Sequence, residues 1–335
     1  MPSLTAPFIF HWVPTPNVYL LELAGDDDAF AAREAASRCS DVEVIAPGMA
    51  TARGVRRPET LAYTRRSCRL MGTCEPDIKA AIAVLEAAGI DRTGTVAVRA
   101  RDVRGLTDVD TQAVERQLGS VLVDRGFEVD LDDPDQTLVA LFSETAALGW
   151  LETKTPREFT ARKPTDKPFF QPGSMAPIDA RALANIAGAG PDTRVLDPMC
   201  GTGGILVEAG LAGSDVVGVD AQWKMARGAH QNLDHYLEDG FETARADATR
   251  LPFIDDSFDG VVFDAPYGRQ SKIEGVSLAD LVGDALKECR RVAGRTVVVG
   301  DQPWNDAAEA AGWTVESRFD RRVHGSLTRY VHVLV

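Results

Sequence analysis

The sequence predicts an α/β chain: a back half built on an open, mostly parallel sheet with helices on both faces, behind an α+β front half. Three observations predict it. From residue 169 onward, short apolar runs alternate with helical patterns, the order that buries a parallel sheet between two helical layers. One apolar run passes directly into a glycine loop, Asp197-Pro198-Met199-Cys200-Gly201-Thr202-Gly203-Gly204. Acids close three of the runs, at Asp197, Asp220 and Asp264, the strand ends where sheets of this kind hold ligands.

The elements follow in order. Val18 to Leu23 reads as a strand and Asp28 to Arg38 as an alanine-rich helix, giving a small α/β piece over residues 1–45. Residues 46–150 mix the two periods. Pro76 to Ala88 is a helix closed by Gly89, and Thr111 to Arg125 is a helix capped by Asp110 and closed by Gly126. Thr95 to Ala100, Phe127 to Leu131 and Gln136 to Phe142 are strands. Residues 151–168 are polar and charged, and carry Pro156, Pro164 and Pro168, which predicts a linker. In the last part, 169–335, helices are expected at Arg181 to Ala187, Gly203 to Ala212, Lys224 to Glu238 and Leu278 to Val292. Strands are expected at Arg194 to Leu196, Asp215 to Val219, Thr243 to Ala246, Gly260 to Phe263 and Arg295 to Gly300, with a closing hairpin of Thr314 to Phe319 and Thr328 to Val335.

Two motifs carry chemistry. Val261-Val262-Phe263-Asp264-Ala265-Pro266-Tyr267 is an apolar strand ending in an Asp-X-Pro-Tyr turn. An amino nitrogen conjugated to a base ring is a weak nucleophile, because its lone pair is delocalised into the ring. Two acceptors at its two N–H bonds, the Asp264 side chain and the Ala265 carbonyl, would draw it toward tetrahedral geometry. Tyr267 offers a face for a base, a contact of roughly 1–3 kcal/mol, and Pro266 stiffens the turn. The second motif is the glycine loop. Gly201, Gly203 and Gly204 permit a sharp bend and close approach to a ligand, and the helix that follows points bare N–H groups into the crevice. Asp220, about 20 residues beyond the loop, suits ribose hydroxyls. The loop departs from G-x-G-x-x-G and is preceded by Asp197, which an ammonium could meet; that favours S-adenosylmethionine over a dinucleotide. Asp247, with Ala248, follows the next strand and is placed for the adenine amino group.

With these residues in view, the chain resembles the archaeal tRNA guanine-10 N2-methyltransferases. The resemblance rests on Phe169-Phe170-Gln171-Pro172-Gly173-Ser174-Met175, on the loop and helix from Asp197 to Ala209, on Asp264 to Arg269, and on Arg322 to Arg329. In front, Val96 to Gly105 is similar to part of a THUMP domain, an RNA-binding module. The resemblance implies a Rossmann-like class I methyltransferase sheet behind an N-terminal α+β THUMP-containing RNA-binding region. It implies S-adenosylmethionine as cofactor, contacted by Pro172, Gly173, Ser174, Met175, Asp197, Cys200, Gly201, Thr202, Gly203, Asp220, Asp247 and Ala248. It also implies tRNA as substrate and the dimethylated guanosine as end product. One departure stands out: the family's turn is Asp-Pro-Pro-Tyr, and Ala265 occupies the second position here. The carbonyl is kept and stiffness is lost. The same motifs would serve an N2-guanine methyltransferase at another tRNA position, a DNA amino-methyltransferase, or an RNA binder with an inactive transferase fold.

The charge is unusual for such a partner. Acids number 50 against 36 basic residues, for a net charge of −14, and only seven of the basic residues are lysines. An acidic, lysine-poor surface suits a protein from a halophilic archaeon working in concentrated salt, where the Debye length is roughly 3 Å at 1 M. Local arginines must then carry RNA contact, and they cluster: Arg53, Arg56, Arg57, Arg65, Arg66 and Arg69; Arg99, Arg101 and Arg104; the linker cations; and Arg318, Arg321, Arg322 and Arg329. Arg65, Arg66, Arg99, Arg101, Arg104 and Arg322 are the RNA-binding candidates, since arginine suits bidentate phosphate contact. His324 and Ser326 are further candidates for touching substrate. Cys39, Cys68, Cys74, Cys200 and Cys289 lack zinc-ligand spacing, so no metal is expected. No apolar run approaches a span of ~20 residues. A cytoplasmic monomer is expected.

Overall fold

The computed structural model describes residues 17–267, 277–325 and 327–335. The chain forms two compact units, Met1–Pro156 and Arg157–Val335.

The first unit is organised on one eight-stranded sheet. Its elements are β1 (Tyr19–Leu23), α1 (Asp28–Ala35), β2 (Ser40–Ala46), β3 (Met49–Arg53), β4 (Thr64–Cys74), α2 (Ile78–Ala87), β5 (Thr95–Asp102), α3 (Thr111–Asp124), β6 (Glu128–Val129), β7 (Gln136–Phe142) and β8 (Ala146–Lys154). The strand order is β2-β3-β1-β4-β8-β7-β5-β6. β5 runs parallel to β6 and β7, and the other pairs are antiparallel. Asp77 and Asp110 cap α2 and α3 by accepting main-chain N–H groups. The apolar stripes of both helices, Val84 and Leu85 on one and Val114, Leu118 and Leu122 on the other, pack with Leu138, Phe142 and Trp150 of the sheet.

Two expected boundaries are corrected here. The division at residue 45 falls inside β2, and β1 pairs with both β3 and β4, so residues before and after it share one sheet. The linker expected over 151–168 is not a free tether. Its start is the end of β8, which pairs with β4 as far as Lys154. From Arg157 it is packed on the second unit by two short 3-10 turns, Glu158–Arg162 and Pro164–Asp166. There Arg162 Nε lies 2.7 Å from Oε1 of the fully buried Glu208.

The second unit continues with α4 (Pro177–Ala187), β9 (Arg194–Asp197), α5 (Gly204–Leu211), β10 (Asp215–Asp220), α6 (Trp223–Tyr236), β11 (Phe241–Arg245), β12 (Gly260–Asp264), α7 (Leu278–Val292), β13 (Thr296–Gly300), α8 (Asn305–Ala310), β14 (Val315–His324) and β15 (Leu327–Leu334). The sheet order is β11-β10-β9-β12-β13-β15-β14. The first five strands are parallel, and β15 is antiparallel to both β13 and β14. The expected alternation and closing hairpin are therefore present. Chain order reverses between β9 and β12, the switch point where open α/β sheets form a ligand crevice. Asp197 and Asp264 end those two strands.

Candidate active site at the carboxyl edge of the second sheet

The glycine loop is fixed at both ends. Cys200 N–H donates to Val219 O at 3.0 Å, and Gly203 N–H to Cys200 O at 2.7 Å. Gly201 and Gly203 have φ of 52° and 72°, a left-handed conformation that favours glycine. A Cβ on Gly203 would also sit 3.1 Å from that of Ala229 on α6, whereas one on Gly201 would meet nothing within 4 Å. The loop thus faces an open crevice on one side and packs against α6 on the other. Cys200 is buried and fills space beneath the loop: its Sγ would lie 3.1 Å from a Cβ at Gly218.

Three acids surround this crevice. Asp197, 2% exposed, accepts the Met199 N–H at 3.0 Å. Burial holds its carboxyl well above the usual range; the Met199 bond opposes this and the charges of Asp220 and Asp264 reinforce it. Asp220 accepts Gly201 N–H at 3.1 Å and Gln222 N–H at 2.8 Å, and burial raises it too. Among the described residues no cation pairs with Asp197 or Asp220. Asp247 is exposed and accepts from the Thr249 N–H and hydroxyl at 2.9 and 2.8 Å; Ala248 beside it is buried.

The segment before α4 joins the same loop. Ser174 Oγ lies 3.2 Å from Thr202 Oγ1. Gly173 takes φ 89°, Met175 is buried and Pro172 exposed. Phe169 exchanges two hydrogen bonds with the Asn232 amide, both at 2.8 Å, and Asn232 also donates to Thr202 O at 2.8 Å. Asn232 was missed in the sequence; a buried asparagine on an amphipathic helix is its only signal. Lys167, one of the cations of the 151–168 stretch, is buried, which lowers its ammonium.

The Asp-X-Pro-Tyr turn closes the crevice. Asp264 lies at the end of β12 and receives the Tyr267 hydroxyl at 2.9 Å on Oδ1 and 3.2 Å on Oδ2. Arg329 Nε in turn donates to Tyr267 Oη at 3.0 Å. Burial pushes the Asp264 carboxyl up to about 6, against the charge of Arg329 and the Tyr267 bond. Ala265 is buried and its N–H donates to Val299 O at 2.8 Å. Proline has no such donor. The stiffness expected to be missing at this position is therefore supplied by a sheet hydrogen bond. Gly268, Arg269 and Ser326 lie outside the described residues, as does the side chain of His324.

The RNA-binding candidates of the first unit have internal partners. Arg65 Nε, Arg66 Nε and Arg101 Nη1 lie 3.7, 2.6 and 2.9 Å from the carboxylate of Glu22, which is 1% exposed. Arg104 Nη1 donates to Asp28 at 3.0 Å, and Arg99 Nη2 to Leu131 O at 2.6 Å. Arg322 is exposed on β14.

The donor set fits the expected cofactor. A glycine loop at a helix N-terminus gives close approach, and carboxylates without a cation among the described residues suit a ligand that carries an ammonium and a sulfonium.

The chain is similar to known methyltransferases. Residues 164–331 match the family described as RMKL-like, methyltransferase domain. A tRNA (guanine(10)-N2)-dimethyltransferase of Methanothermobacter thermautotrophicus is 36% identical over 246 residues, 71% of this chain and 72% of that one. The enzyme of the same description from Pyrococcus abyssi is 32% identical, over 72% of this chain and 74% of that one. The crystal structure of TrmN from Thermus thermophilus aligns with 95% of this chain and 99% of that one, at 24% identity and a TM-score of 0.48. With a matching methyltransferase domain behind it, the chain belongs to the tRNA (guanine(10)-N2)-dimethyltransferase family.

Proposed function

We propose that the protein methylates the exocyclic N2 of guanosine 10 in tRNA, first to the monomethyl and then to the dimethyl product. The observation that carries this reading is the Asp264–Tyr267 turn, set beside a glycine loop whose acids meet no cation among the described residues. S-adenosylmethionine, when bound, supplies an electrophilic methyl on a sulfonium. Asp197 and Asp220, at the ends of β9 and β10, would bind and orient it. The target base leaves its stack, at a cost of a few kcal/mol. Asp264 accepts one N–H of the guanine amine and the Ala265 carbonyl the other. Held between these two acceptors, the amine nitrogen would have its lone pair free to take the methyl that the sulfonium supplies, with sulfur keeping the electron pair of the broken bond. The positive charge that would develop on nitrogen is stabilised by Asp264, and the surplus amine proton then passes to solvent. Rotation of the product amine presents its second N–H for another round.

The first unit is the RNA-gripping part in this reading. Arg322 of the second unit and the half-exposed Arg65, Arg99, Arg101 and Arg104 are its proposed phosphate contacts, with Arg66 braced on Glu22. The acid-rich composition supports a halophilic, cytoplasmic setting, and we infer a monomer. Among the described residues no helix is long and apolar enough to cross a membrane. The test is incubation with unmodified tRNA and S-adenosylmethionine at high potassium chloride, followed by nucleoside mass spectrometry and position mapping. N2-methylated guanosine at position 10 is expected. Methylation at a different guanosine would keep the chemistry and remove the site. Methylated duplex DNA without methylated tRNA would favour the DNA enzyme.

A further inference from the structure

Arg329 stands out among the buried cations. It is 8% exposed on β15, and it pairs with no carboxylate among the described residues. Its Nε donates instead to the Tyr267 hydroxyl, at 3.0 Å. A hydroxyl offers one proton and two lone pairs, so Tyr267 accepts from Arg329 and donates to Asp264. The result is a directed relay from guanidinium through phenol to carboxylate. Both Asp264 oxygens lie within 3.2 Å of the phenol oxygen, which fixes the carboxylate plane. A carboxylate accepts at about four lone-pair sites, so a position for a substrate amine is left over. We propose that Arg329 is a positioning residue for methyl transfer, which acts through Tyr267 to orient the Asp264 carboxylate toward the amine. This rests on the function proposed above.

The groups that face Asp264 are Arg329 from β15, Tyr267 from its own turn, Asp301 after β13, and Asp197 at the end of β9. Of these, Arg329 is the cation that holds Asp264 down. Arg329→Gln should lower kcat at pH 7 by about 10- to 100-fold, less than the roughly 10²–10⁴-fold of a direct acid–base contact because it acts through Tyr267, with the cofactor Kd unchanged. The acid limb of kcat should move to higher pH. Tyr267→Phe should produce a similar loss, and adding Arg329→Gln to it should cost little more, because both substitutions cut one relay. Additive losses would overturn the proposal. A carbon-13 NMR titration of Asp264 needs no RNA, and an unmoved carboxyl in Arg329→Gln would overturn the proposal whether or not the wild type methylates tRNA. If Arg329→Gln does not fold, the same titration in Tyr267→Phe decides, since it severs the relay with the guanidinium in place.

A second inference rests on a separate surface. Trp223 opens α6 three residues beyond Asp220, and it is 62% exposed. Trp223, Lys224, Arg227, Gly228 and Gln231 share one helix face, and with Phe169 they line an open groove of about 330 Å³. Lys224 Nζ lies 5.8 Å from the Phe169 ring centre. Neither Lys224 nor Arg227 has an acidic partner among the described residues, in a chain where acids outnumber bases 50 to 36. Two unpaired cations flanked by flat aromatic faces match a single RNA strand, whose phosphates meet the cations while a base stacks on indole. We infer that this groove binds an unpaired stretch of the RNA substrate.

The test is anisotropy titration of unmodified tRNA with the full-length protein. Trp223→Ala should weaken binding about tenfold and Trp223→Phe should restore most of it, as base stacking requires. Lys224→Ala with Arg227→Ala should reduce the salt slope by about 1.4, the loss of two single-strand phosphate contacts. Unchanged affinity and slope in these variants would overturn the inference. Unchanged tRNA binding with lost binding of a polyglutamate peptide would assign the groove to an acidic protein partner instead. A wild type that binds tRNA through Trp223 but methylates none would remove the proposed reaction and leave this surface standing.

Discussion

Buried acids are treated in opposite ways in the two units. In the first, Glu22 is enclosed by Arg65, Arg66 and Arg101. At the carboxyl edge of the second sheet, Asp197 and the half-buried Asp220 are met by main-chain N–H groups and by no cation among the described residues. Taking a carboxylate out of water costs several kcal/mol unless a charge or good hydrogen bonds offset it. Where the offset is internal, the acid belongs to the architecture. Where it is left out, a positively charged ligand can supply it, which is why we propose these acids as part of the site.

The sharpest way to break this comparison is at Asp264. Asp264→Ala should lower methyl transfer by at least about 10³-fold, the upper range for loss of one preorganised polar contact, while calorimetry shows nearly unchanged cofactor affinity. Equal loss of both would make the residue architectural, like Glu22. The pH dependence has a definite sign. The folded carboxyl sits at about 6, above its ordinary 3.8, so kcat/KM should fall as pH drops through 6. The same shift makes the folded state gain stability by protonation. That gain is full below pH 4 and lost as pH rises through 6, on the order of 1–3 kcal/mol. Asp264→Asn should remove this trend in denaturant titrations.

Next is Glu22→Gln. It leaves three guanidinium groups facing a neutral amide, and should destabilise the protein by about 2 kcal/mol after allowance for solvent screening of the part-exposed arginines. Asp197→Asn should do the reverse, stabilising the cofactor-free protein by about 1 kcal/mol, because an uncompensated buried carboxylate is replaced by a neutral group of the same shape. Its cofactor affinity should fall at least tenfold by calorimetry. If both substitutions destabilise, the contrast between the two units is gone. Ala265→Pro is a smaller effect. It restores the family's residue but removes the N–H bonded to Val299 O, and should cost about 1 kcal/mol in thermal unfolding without raising kcat. Smallest is Asp247→Ala. Its carboxylate is exposed and already bonded to Thr249, so cofactor Kd should rise only about twofold to fivefold, within 1 kcal/mol.

Much of the second unit was legible in the sequence because its strands are buried on both faces and read as unbroken apolar runs, such as Val261 to Phe263 and Val297 to Val299. Their ends announce themselves by acids. The first unit was harder. β4, with 11 residues, is among its longest strands, yet Thr64-Arg65-Arg66-Ser67-Cys68-Arg69 reads as a basic surface patch rather than a strand. Its arginines reach Glu22 and Glu152 across the sheet, a pairing between distant residues that no local period reveals. The stretch at 157–168 misled for the same reason: its prolines and charges look like a linker, and its partner Glu208 lies 46 residues beyond Arg162. The Tyr267–Arg329 bond spans 62 residues and was equally invisible, although both residues had been picked out singly.

The strap before α4 sets where this protein can be divided. Phe169 lies so close over α6 that a Cβ on Gly228 would come within 2.1 Å of its ring, while Arg162 and Arg181 share the one buried carboxylate of Glu208. A cut at residue 168 would amputate Arg162 and unseat the ring from its glycine seat. A cut ahead of Arg157 would spare both. The transferase half is thus a cassette with its own clasp, and the separable piece begins about a dozen residues before the first family motif.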